Sequence, residues 1–233
     1  VIFHGNAASA NVTFDASADD LIFNGDAGLI VPDGQFTLAS TAVTSTAAEL
    51  NKLDGAGTLK QAGKETMWVP AAAMYPSTTN PCADLEQVET TALRPDLKVL
   101  DFATGADEFA QFSIAFPKSW NEGTVTFQPF WTVTGTNTGT VAWQLGGIAM
   151  SSDDTINTAF GTLVATTALA HSGSSNDLMV SVESGAVTIA GSPAAADLCF
   201  FQINRDISAD NQSGDARLLG IKLFFTTDAA NDA

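Results

Sequence analysis

Short segments in which every second residue is apolar or aromatic run through most of this chain. Between 109 and 116, for example, Phe112, Ile114 and Phe116 are each separated by one polar or small residue, and Pro117 ends the run. This alternation places apolar side chains on one face of a β-strand. Long helix-forming runs are absent, whereas Thr, Val, Ser, Gly and Phe are frequent. The pattern therefore predicts an all-β protein.

The charge of the chain excludes several classes of partner. Nine Lys and Arg stand against 26 Asp and Glu, which gives a formal net charge of −17. A nucleic-acid-binding protein needs a basic face, and an anionic membrane attracts basic segments, so neither partner is expected. No apolar stretch is long enough to predict insertion into a membrane. The chain lacks a signal-peptide pattern and starts with Val1 rather than Met. These features favour the interpretation that the sequence is one end of a longer protein.

Residues 1–40 consist of short apolar pairs separated by turn-forming residues such as those at 15–20 and 24–26. Each pair is too short to bury its own apolar face, so we expect three chains to wind together as a β-rung stalk. The alternative is an ordinary pair of hairpins packed on the main domain. The residues predicted to form the trimer interface are Val12, Phe14, Leu21, Phe23, Leu29, Val31, Phe36, Leu38, Leu50 and Leu53.

Residues 41–63 predict a short helical module followed by a Gly-rich hinge. Ser45 or Thr46 is positioned to cap one or two helical turns, and Glu49 is positioned to complete a capping box. Gly55 follows as a residue that ends a helix in the left-handed conformation.

Residues 64–233 predict a jelly-roll-like β-sandwich head, because about eight strands alternate with turn signals. The segment 153–160 is predicted to form a short helix, capped by Ser152 or Asp153. The runs at 198–203 and 218–226 are rich in apolar residues and are expected to be central strands. The other expected strands lie near 109–116, 125–128, 131–133, 141–145, 178–182 and 186–189.

The segment VTSTAAELNKLDG at 43–55 resembles a short module, close to T-A-x-E-L-N-x-L-D-G, of bacteriophage tail fibres and other virion appendages. The preceding LIFNGDAGLIVPDGQFTL is similar to the strand-turn rungs found before that module. The C-terminal region, with KETMWVPAAAM, FPKSWNEGTVTF, FFQINRD and GDARLLGIKLFF, resembles a domain at the ends of virion proteins of alphaproteobacterial phages and prophages.

This resemblance implies a structural component on the surface of a phage particle: the distal part of a homotrimeric fibre or spike that attaches to the host. Its partners would be two further copies of itself, other virion proteins at the N-terminal end, and a host-surface glycan or protein. The alternatives are a capsid decoration or head-fibre protein without a receptor role, and a secreted carbohydrate-binding β-sandwich. The resemblance supplies no catalytic residues.

The residues offer little for catalysis or metal binding. His4 and His171 are the only histidines, and no G-x-S-x-G motif accompanies them, so no catalytic residue is predicted. No cofactor or metal site is predicted from two distant cysteines and two histidines. The loops 15–20 and 206–215 are rich in carboxylate and amide oxygens, and bound Ca²⁺ is the alternative there to a plain polar turn.

Exposed aromatic side chains are the remaining candidates for ligand contact, because they stack on sugar rings. The aromatic candidates are Trp68, Tyr75, Trp120, Trp131 and Trp143. Trp131 and Trp143 lie inside alternating strands and are expected in the core. Trp120, in a turn, and Tyr75 are therefore the predicted ligand-contacting residues.

Of the two cysteines, Cys199 is expected to be a buried thiol, and a disulfide to Cys82 does not follow from the sequence.

Overall fold

The computed structural model describes residues 2–4, 11–25, 27–32, 35–51 and 62–232. It divides into two compact units, Val1–Leu59 and Lys60–Ala233. Almost all regular structure is β, as the alternating pattern predicts. No helix among the described residues is long and apolar enough to span a membrane. Leu53 and the predicted hinge around Gly55 lie outside the described residues.

The first unit contains a small antiparallel sheet with the order β1-β2-β3 and a two-stranded ribbon β4-β5. Its elements are β1 (Ile2–His4), β2 (Asn11–Asp15), β3 (Asp20–Asn24), β4 (Thr37–Leu38), β5 (Thr41–Ala42) and α1 (Ala47–Asn51). Val12 lies opposite Phe23, and Phe14 lies opposite Leu21, so these two predicted pairs share one face of a hairpin. The predicted strand at Leu29 and Val31 is wrong, because residues 27–32 form no strand.

Most predicted interface residues are exposed in the single chain. The exposed ones are Phe14, Leu21, Leu29, Phe36, Leu38 and Leu50. Val12, Phe23 and Val31 are half-buried. This unit therefore has an apolar surface that is available to a partner. Covering such a surface is favourable, because the exposure of large apolar side chains to water costs free energy. The trimer itself stays a prediction.

Helix α1 begins with the predicted capping box, and Thr46 is the cap. The Glu49 backbone N–H donates to Thr46 Oγ1 at 3.3 Å, and the Thr46 N–H donates to Glu49 Oε2 at 2.8 Å. These bonds satisfy donors that a helix start leaves unpaired.

The second unit is a sandwich of two mainly antiparallel sheets, which confirms the jelly-roll-like head. Sheet I has the order β14-β13-β18-β10-β7, with β17 also on β13; sheet II has the order β16-β11-β19-β9-β8, with β6 also on β19. The strands are β6 (Lys64–Pro70), β7 (Tyr75–Pro76), β8 (Glu86–Glu89), β9 (Asp96–Phe102), β10 (Phe109–Ala115), β11 (Thr126–Val133), β12 (Thr140–Val141), β13 (Trp143–Met150), β14 (Val164–Ala165), β15 (Leu169–Ala170), β16 (Met179–Val180), β17 (Ile189–Ala190), β18 (Leu198–Arg205) and β19 (Ala216–Thr226).

The core lies between the two sheets and is rich in aromatic rings. Phe112 stacks on Phe201 with 5.1 Å between ring centroids, and Phe116 meets Phe225 edge-on at 5.3 Å. The predicted central strands 198–203 and 218–226 correspond to β18 and β19, each of which pairs with strands on both sides.

The helix predicted at 153–160 is wrong, because this segment forms turns and irregular structure. Asp153 has a φ of 76°, a left-handed conformation that a right-handed helix excludes. The Asp154 N–H donates to Ser151 O, and the Asp154 carboxylate accepts from the Ser151 N–H, which closes a tight turn. Asp154 thus serves a turn rather than a helix start.

Candidate functional site

The structure corrects the prediction that Trp120 contacts ligand. Trp120 does lie in a turn, where its N–H donates to Pro117 O, but its side chain is only 2% exposed. The indole stacks on Phe116 with 4.2 Å between ring centroids. The turn folds the ring inward, so Trp120 closes one end of the core. Trp131 and Trp143 are fully buried, as predicted.

Tyr75 lies at the edge of sheet I on the short strand β7 and is 48% exposed. In the antiparallel register, Tyr75 lies opposite Gln111 on β10, and Gln111 lies opposite Gln202 on β18. The neighbours of these glutamines along each strand are buried in the core, so alternation places both amides on the outer face. One aromatic and two amide side chains therefore form a row across three adjacent strands.

This row is part of a cleft of about 290 Å³, whose other walls come from Pro76 and residues 77–79. The 77–80 segment folds back along β10, because the Ser77 N–H donates to Phe109 O and the Phe109 N–H donates to Asn80 O. Ser77 Oγ donates to Thr79 O and holds the turn closed. Backbone hydrogen bonds thus hold one wall of the cleft against β10. We call it the Tyr75 cleft.

The polar groups that face the Tyr75 cleft are available to a ligand. Within the described part of the chain, the Tyr75 hydroxyl and the amides of Gln111 and Gln202 make no hydrogen bond. Each amide offers an acceptor oxygen and two N–H donors, and the tyrosine ring offers an apolar face. Such a set matches a sugar, which has hydroxyl groups around its rim and C–H groups on its faces. The glutamines were not predicted, although their positions between buried residues in alternating strands mark them as outward-facing.

A second exposed aromatic residue, Trp68, lies on the outer face of sheet II and is 48% exposed. Trp68 is one of the aromatic candidates from the sequence, but it was not among the residues predicted to contact ligand. In β6 the buried positions include Val69, so alternation directs Trp68 outward.

His171 is buried, at 3% exposure. Its Nδ1 lies 3.0 Å from Asn137 O and 3.2 Å from the Gly173 nitrogen. Its ring lies 6.2 Å from that of Trp131, so it packs a loop against the core. No nucleophile is hydrogen-bonded to His171 among the described residues.

The loop 206–215 is organised around an arginine. The Arg205 guanidinium donates to Asp210, to Gly214 O and to Gln212 O. The Arg205 guanidinium thus supplies a positive charge within the loop in which bound Ca²⁺ was the alternative.

In the other candidate loop, at 15–20, Asp15 accepts hydrogen bonds from the N–H and hydroxyl of Ser17, which lower the pKa of the Asp15 carboxyl. Among the residues that the structure describes, no group of three or more His, Cys, Asp or Glu side chains is placed to hold a metal.

Both cysteines are buried free thiols, which confirms the expectation for Cys199. Burial raises the pKa of each thiol to about 12, and nearby carboxylates, Glu108 for Cys82 and Asp197 for Cys199, act in the same direction. A thiol with so high a pKa is a poor nucleophile at neutral pH.

No family model matches the sequence, and no curated protein shows significant similarity to it. Among solved structures, an arabinose-bound α-L-arabinofuranosidase is 13% identical with a TM-score of 0.42, and the match covers 74% of this chain and 27% of that chain. The family 11 carbohydrate-binding module from Clostridium thermocellum, solved with a mixed-linked tetrasaccharide, is 10% identical with a TM-score of 0.35, over 70% of this chain and 96% of that chain.

A CBM36-1 domain of a multidomain xylanase from the hindgut metagenome of Trinervitermes trinervoides is 11% identical, with a TM-score of 0.35. That match covers 68% of this chain and 96% of the domain. These values are too low to transfer a ligand or an activity, so the candidate site rests on its own geometry.

Proposed function

We propose that residues 60–233 are a carbohydrate-binding head that takes a sugar ring in the Tyr75 cleft. The observation that carries this proposal is the row of Tyr75, Gln111 and Gln202 in register across β7, β10 and β18. The tyrosine ring stacks on one face of the sugar, and the two amides exchange hydrogen bonds with neighbouring hydroxyl groups. The chain acts as a binding protein and not as an enzyme.

The size and openness of the site indicate modest affinity for a single head. A cleft of about 290 Å³ is at the lower end of the range for small-molecule sites, so it holds one or two sugar rings. Neutral hydrogen bonds that replace bonds to water add only about 0.5–1.5 kcal/mol each. Several heads on one particle would raise the overall affinity by effective concentration.

We further propose that the chain is the distal part of a homotrimeric bacteriophage fibre, displayed at the particle surface. Two features support this: the appendage-like module at 43–55, and the exposed apolar residues of the first unit, such as Phe14 and Leu21. In this setting other virion proteins hold the N-terminal end, and the head contacts a glycan of the host surface.

The experiment that tests the carbohydrate proposal is a glycan array probed with the full chain, followed by calorimetric titration of the best ligand. Tyr75→Ala removes the stacking surface and is expected to weaken binding about tenfold or more, a change of about 1.4 kcal/mol. Gln111→Ala is expected to weaken it several-fold. Leu93→Ala is the control, because Leu93 is fully exposed in a turn outside the cleft. Binding that survives Tyr75→Ala unchanged would contradict the proposal.

Glycan binding and the mass of the chain in solution together separate the alternatives. If no glycan binds and the chain is trimeric, a capsid decoration or head-fibre protein without a receptor role is favoured. If the chain binds sugar as a monomer, a secreted carbohydrate-binding module is favoured over a fibre.

A further inference from the structure

The ring of Trp68 is held in place from below and from one side. A Cβ atom added at Gly220 on β19 would lie 2.7 and 2.8 Å from two atoms of the Trp68 six-membered ring. The ring therefore lies against the bare backbone of the neighbouring strand. Phe130 on β11, opposite Gly220 in the register, meets the Trp68 ring edge-on with 5.2 Å between centroids.

Gly220 is the residue that permits this arrangement. Its φ of 153° and the contact of 2.6 Å that a Cβ would make with Val69 O both exclude a side chain. The missing side chain leaves a depression in the middle of sheet II, which the indole fills. One face of the indole thus packs on protein, and the residue is still 48% exposed. Such a fixed, half-exposed ring loses little conformational entropy when a ligand stacks on it.

Lys222 stands directly opposite Trp68 in the strand register, on the same outer face. Its ammonium lies 5.4 Å from the centroid of the Phe130 ring, a cation–π contact. Within the described residues, Lys222 forms no ion pair with a carboxylate. Gln128, opposite Lys222 on β11, is fixed by donating to Ser181 O, which leaves its amide oxygen as an acceptor.

The surface around Trp68 and Lys222 differs in charge from the chain as a whole, which is strongly acidic. Lys64, on the same face, is neutralised by an ion pair with Glu183, and hydrogen bonds from Lys64 and Thr126 lower the pKa of the Glu183 carboxyl. Glu65 alternates to the other face of β6. Lys222 therefore leaves a local positive charge on a protein whose net charge is −17. An anion that approaches this surface is attracted here and repelled by most of the rest.

We infer that Trp68, Lys222 and Gln128 form a second binding site, on the sheet opposite the Tyr75 cleft, for an acidic saccharide. The pyranose ring stacks on the exposed face of Trp68, its carboxylate pairs with the Lys222 ammonium, and a hydroxyl donates to the Gln128 amide oxygen. A protein surface is a poorer fit for this site, since the apolar area around Trp68 is interrupted by the charge of Lys222.

The test uses the full chain and oligosaccharides that carry galacturonate, glucuronate or sialic acid, each compared with its neutral methyl ester. Titration calorimetry is expected to show that at least one acidic oligosaccharide binds more tightly than its ester. Trp68→Ala should weaken binding of both forms about tenfold or more. Lys222→Gln should remove the preference for the acid and most of the dependence on salt concentration. Lys98→Gln, an equal change of charge at an exposed position of β9, is the control and should change neither.

Three results would overturn the inference. The first is that none of the acidic oligosaccharides binds, and the second is that Lys222→Gln keeps the full preference for the acid. The third is that Trp68→Ala or Lys222→Gln lowers the mass in solution, which would make this face a contact between copies of the chain. Tyr75→Ala should leave acidic binding intact, so a failure of this site and a failure of the Tyr75 cleft are distinguishable.

Discussion

Arg205 and Asp210 form a two-point ion pair in the interior of the head. Nε of the guanidinium donates to Oδ2 at 2.6 Å and Nη2 donates to Oδ1 at 3.0 Å, while the two side chains are 1% and 4% exposed. The other N–H groups reach the carbonyl oxygens of Phe102, Gln212 and Gly214. Arg205 thus ties the 206–214 loop to the end of β9, and the Asp210 carboxylate compensates its charge.

Removing Asp210 should destabilise the head strongly. Asp210→Ala leaves a buried guanidinium without its counter-charge, and a loss of about 3–5 kcal/mol in the free energy of unfolding is expected. Urea denaturation followed by tryptophan fluorescence measures it. Glu183→Gln is the matched control, because its partner Lys64 is half-exposed and such pairs contribute less than about 1 kcal/mol. Equal losses in the two variants would show that the buried pair has no special role.

Gly139 should not tolerate a methyl group. A Cβ there would lie 2.5 Å from Gln212 Cα and 2.6 Å from Asn211 O, which are backbone atoms that side-chain rotation does not move. Gly139→Ala is therefore expected to cost about 1–3 kcal/mol of unfolding free energy. Gly135→Ala, in the same turn region, meets nothing within 4 Å and should be close to neutral in the same measurement. A neutral Gly139→Ala would mean that the loop at 211–212 can shift away.

Several strand positions were predictable from the sequence, because burial on one face leaves a period of two that can be read directly, but β6, β8 and β9 were not among the expected strands. Strand β10 is the best example, since inward and outward positions alternate over all 7 of its residues. In β18 and β19 the alternation is interrupted once along each strand. The turn that buries Trp120 was not predictable. Its direction depends on the bond from Asn121 N–H to Thr226 O, which forms only when distant strands have assembled.

The candidate sites, too, were predictable in part: single residues could be identified from the sequence, but their partners across the sheet could not. Tyr75 was predictable as an aromatic residue outside the main strands, but its partnership with Gln111 and Gln202 depends on the order of strands in sheet I. The partner of Arg217 is a further example, because Asp206 and Asp215 are its carboxylate neighbours on the flanks of the 206–215 loop. Arg217 Nε instead donates to Asp101 on the adjacent strand β9, at 3.1 Å. Neighbours across a sheet are not visible in local spacing.

Trp120 and Trp68 should differ sharply in their effect on stability. Trp120→Ala removes a ring that is 2% exposed and stacked on Phe116, so it should cost about 3–5 kcal/mol of unfolding free energy. Trp68→Ala removes a half-exposed ring and should cost less than half as much. Thermal or urea unfolding of the two variants gives the comparison. A small effect at Trp120 would show that the ring is replaceable in the core.

The two thiols should be protected in the folded head and should make its stability fall at alkaline pH. Cys82 and Cys199 are buried and free, with pKa values of about 12, whereas an unperturbed thiol ionises near 9.0. Between these values the unfolded chain loses the protons first, so unfolding becomes more favourable as pH rises, by up to about 1.4 kcal/mol per pH unit for each thiol.

Iodoacetamide at about pH 8 should therefore modify neither cysteine in the native protein and both in urea. Urea denaturation at increasing pH should show a steeper loss of stability for the natural chain than for the Cys82→Ala, Cys199→Ala double variant. Parallel slopes would mean that the thiols ionise equally in both states.

The first unit should determine the assembly state of the chain. Phe14 and Leu21 lie opposite each other on the β2-β3 hairpin and are 47% and 57% exposed, so a partner chain would cover them. Light scattering is expected to give a trimeric mass for the full chain, a lower mass for residues 60–233, and a lower mass for Phe14→Ser with Leu21→Ser. Ile22→Ser is the matched change, because Ile22 pairs with Thr13 on the other face of this hairpin. If Ile22→Ser alone dissociates the assembly, the interface uses that other face. If residues 60–233 are trimeric by themselves, the interface lies in the head. A monomeric full chain would contradict the proposed homotrimeric fibre. An obligate interface also predicts that the trimeric mass does not change on dilution, since folding and association would then be one step.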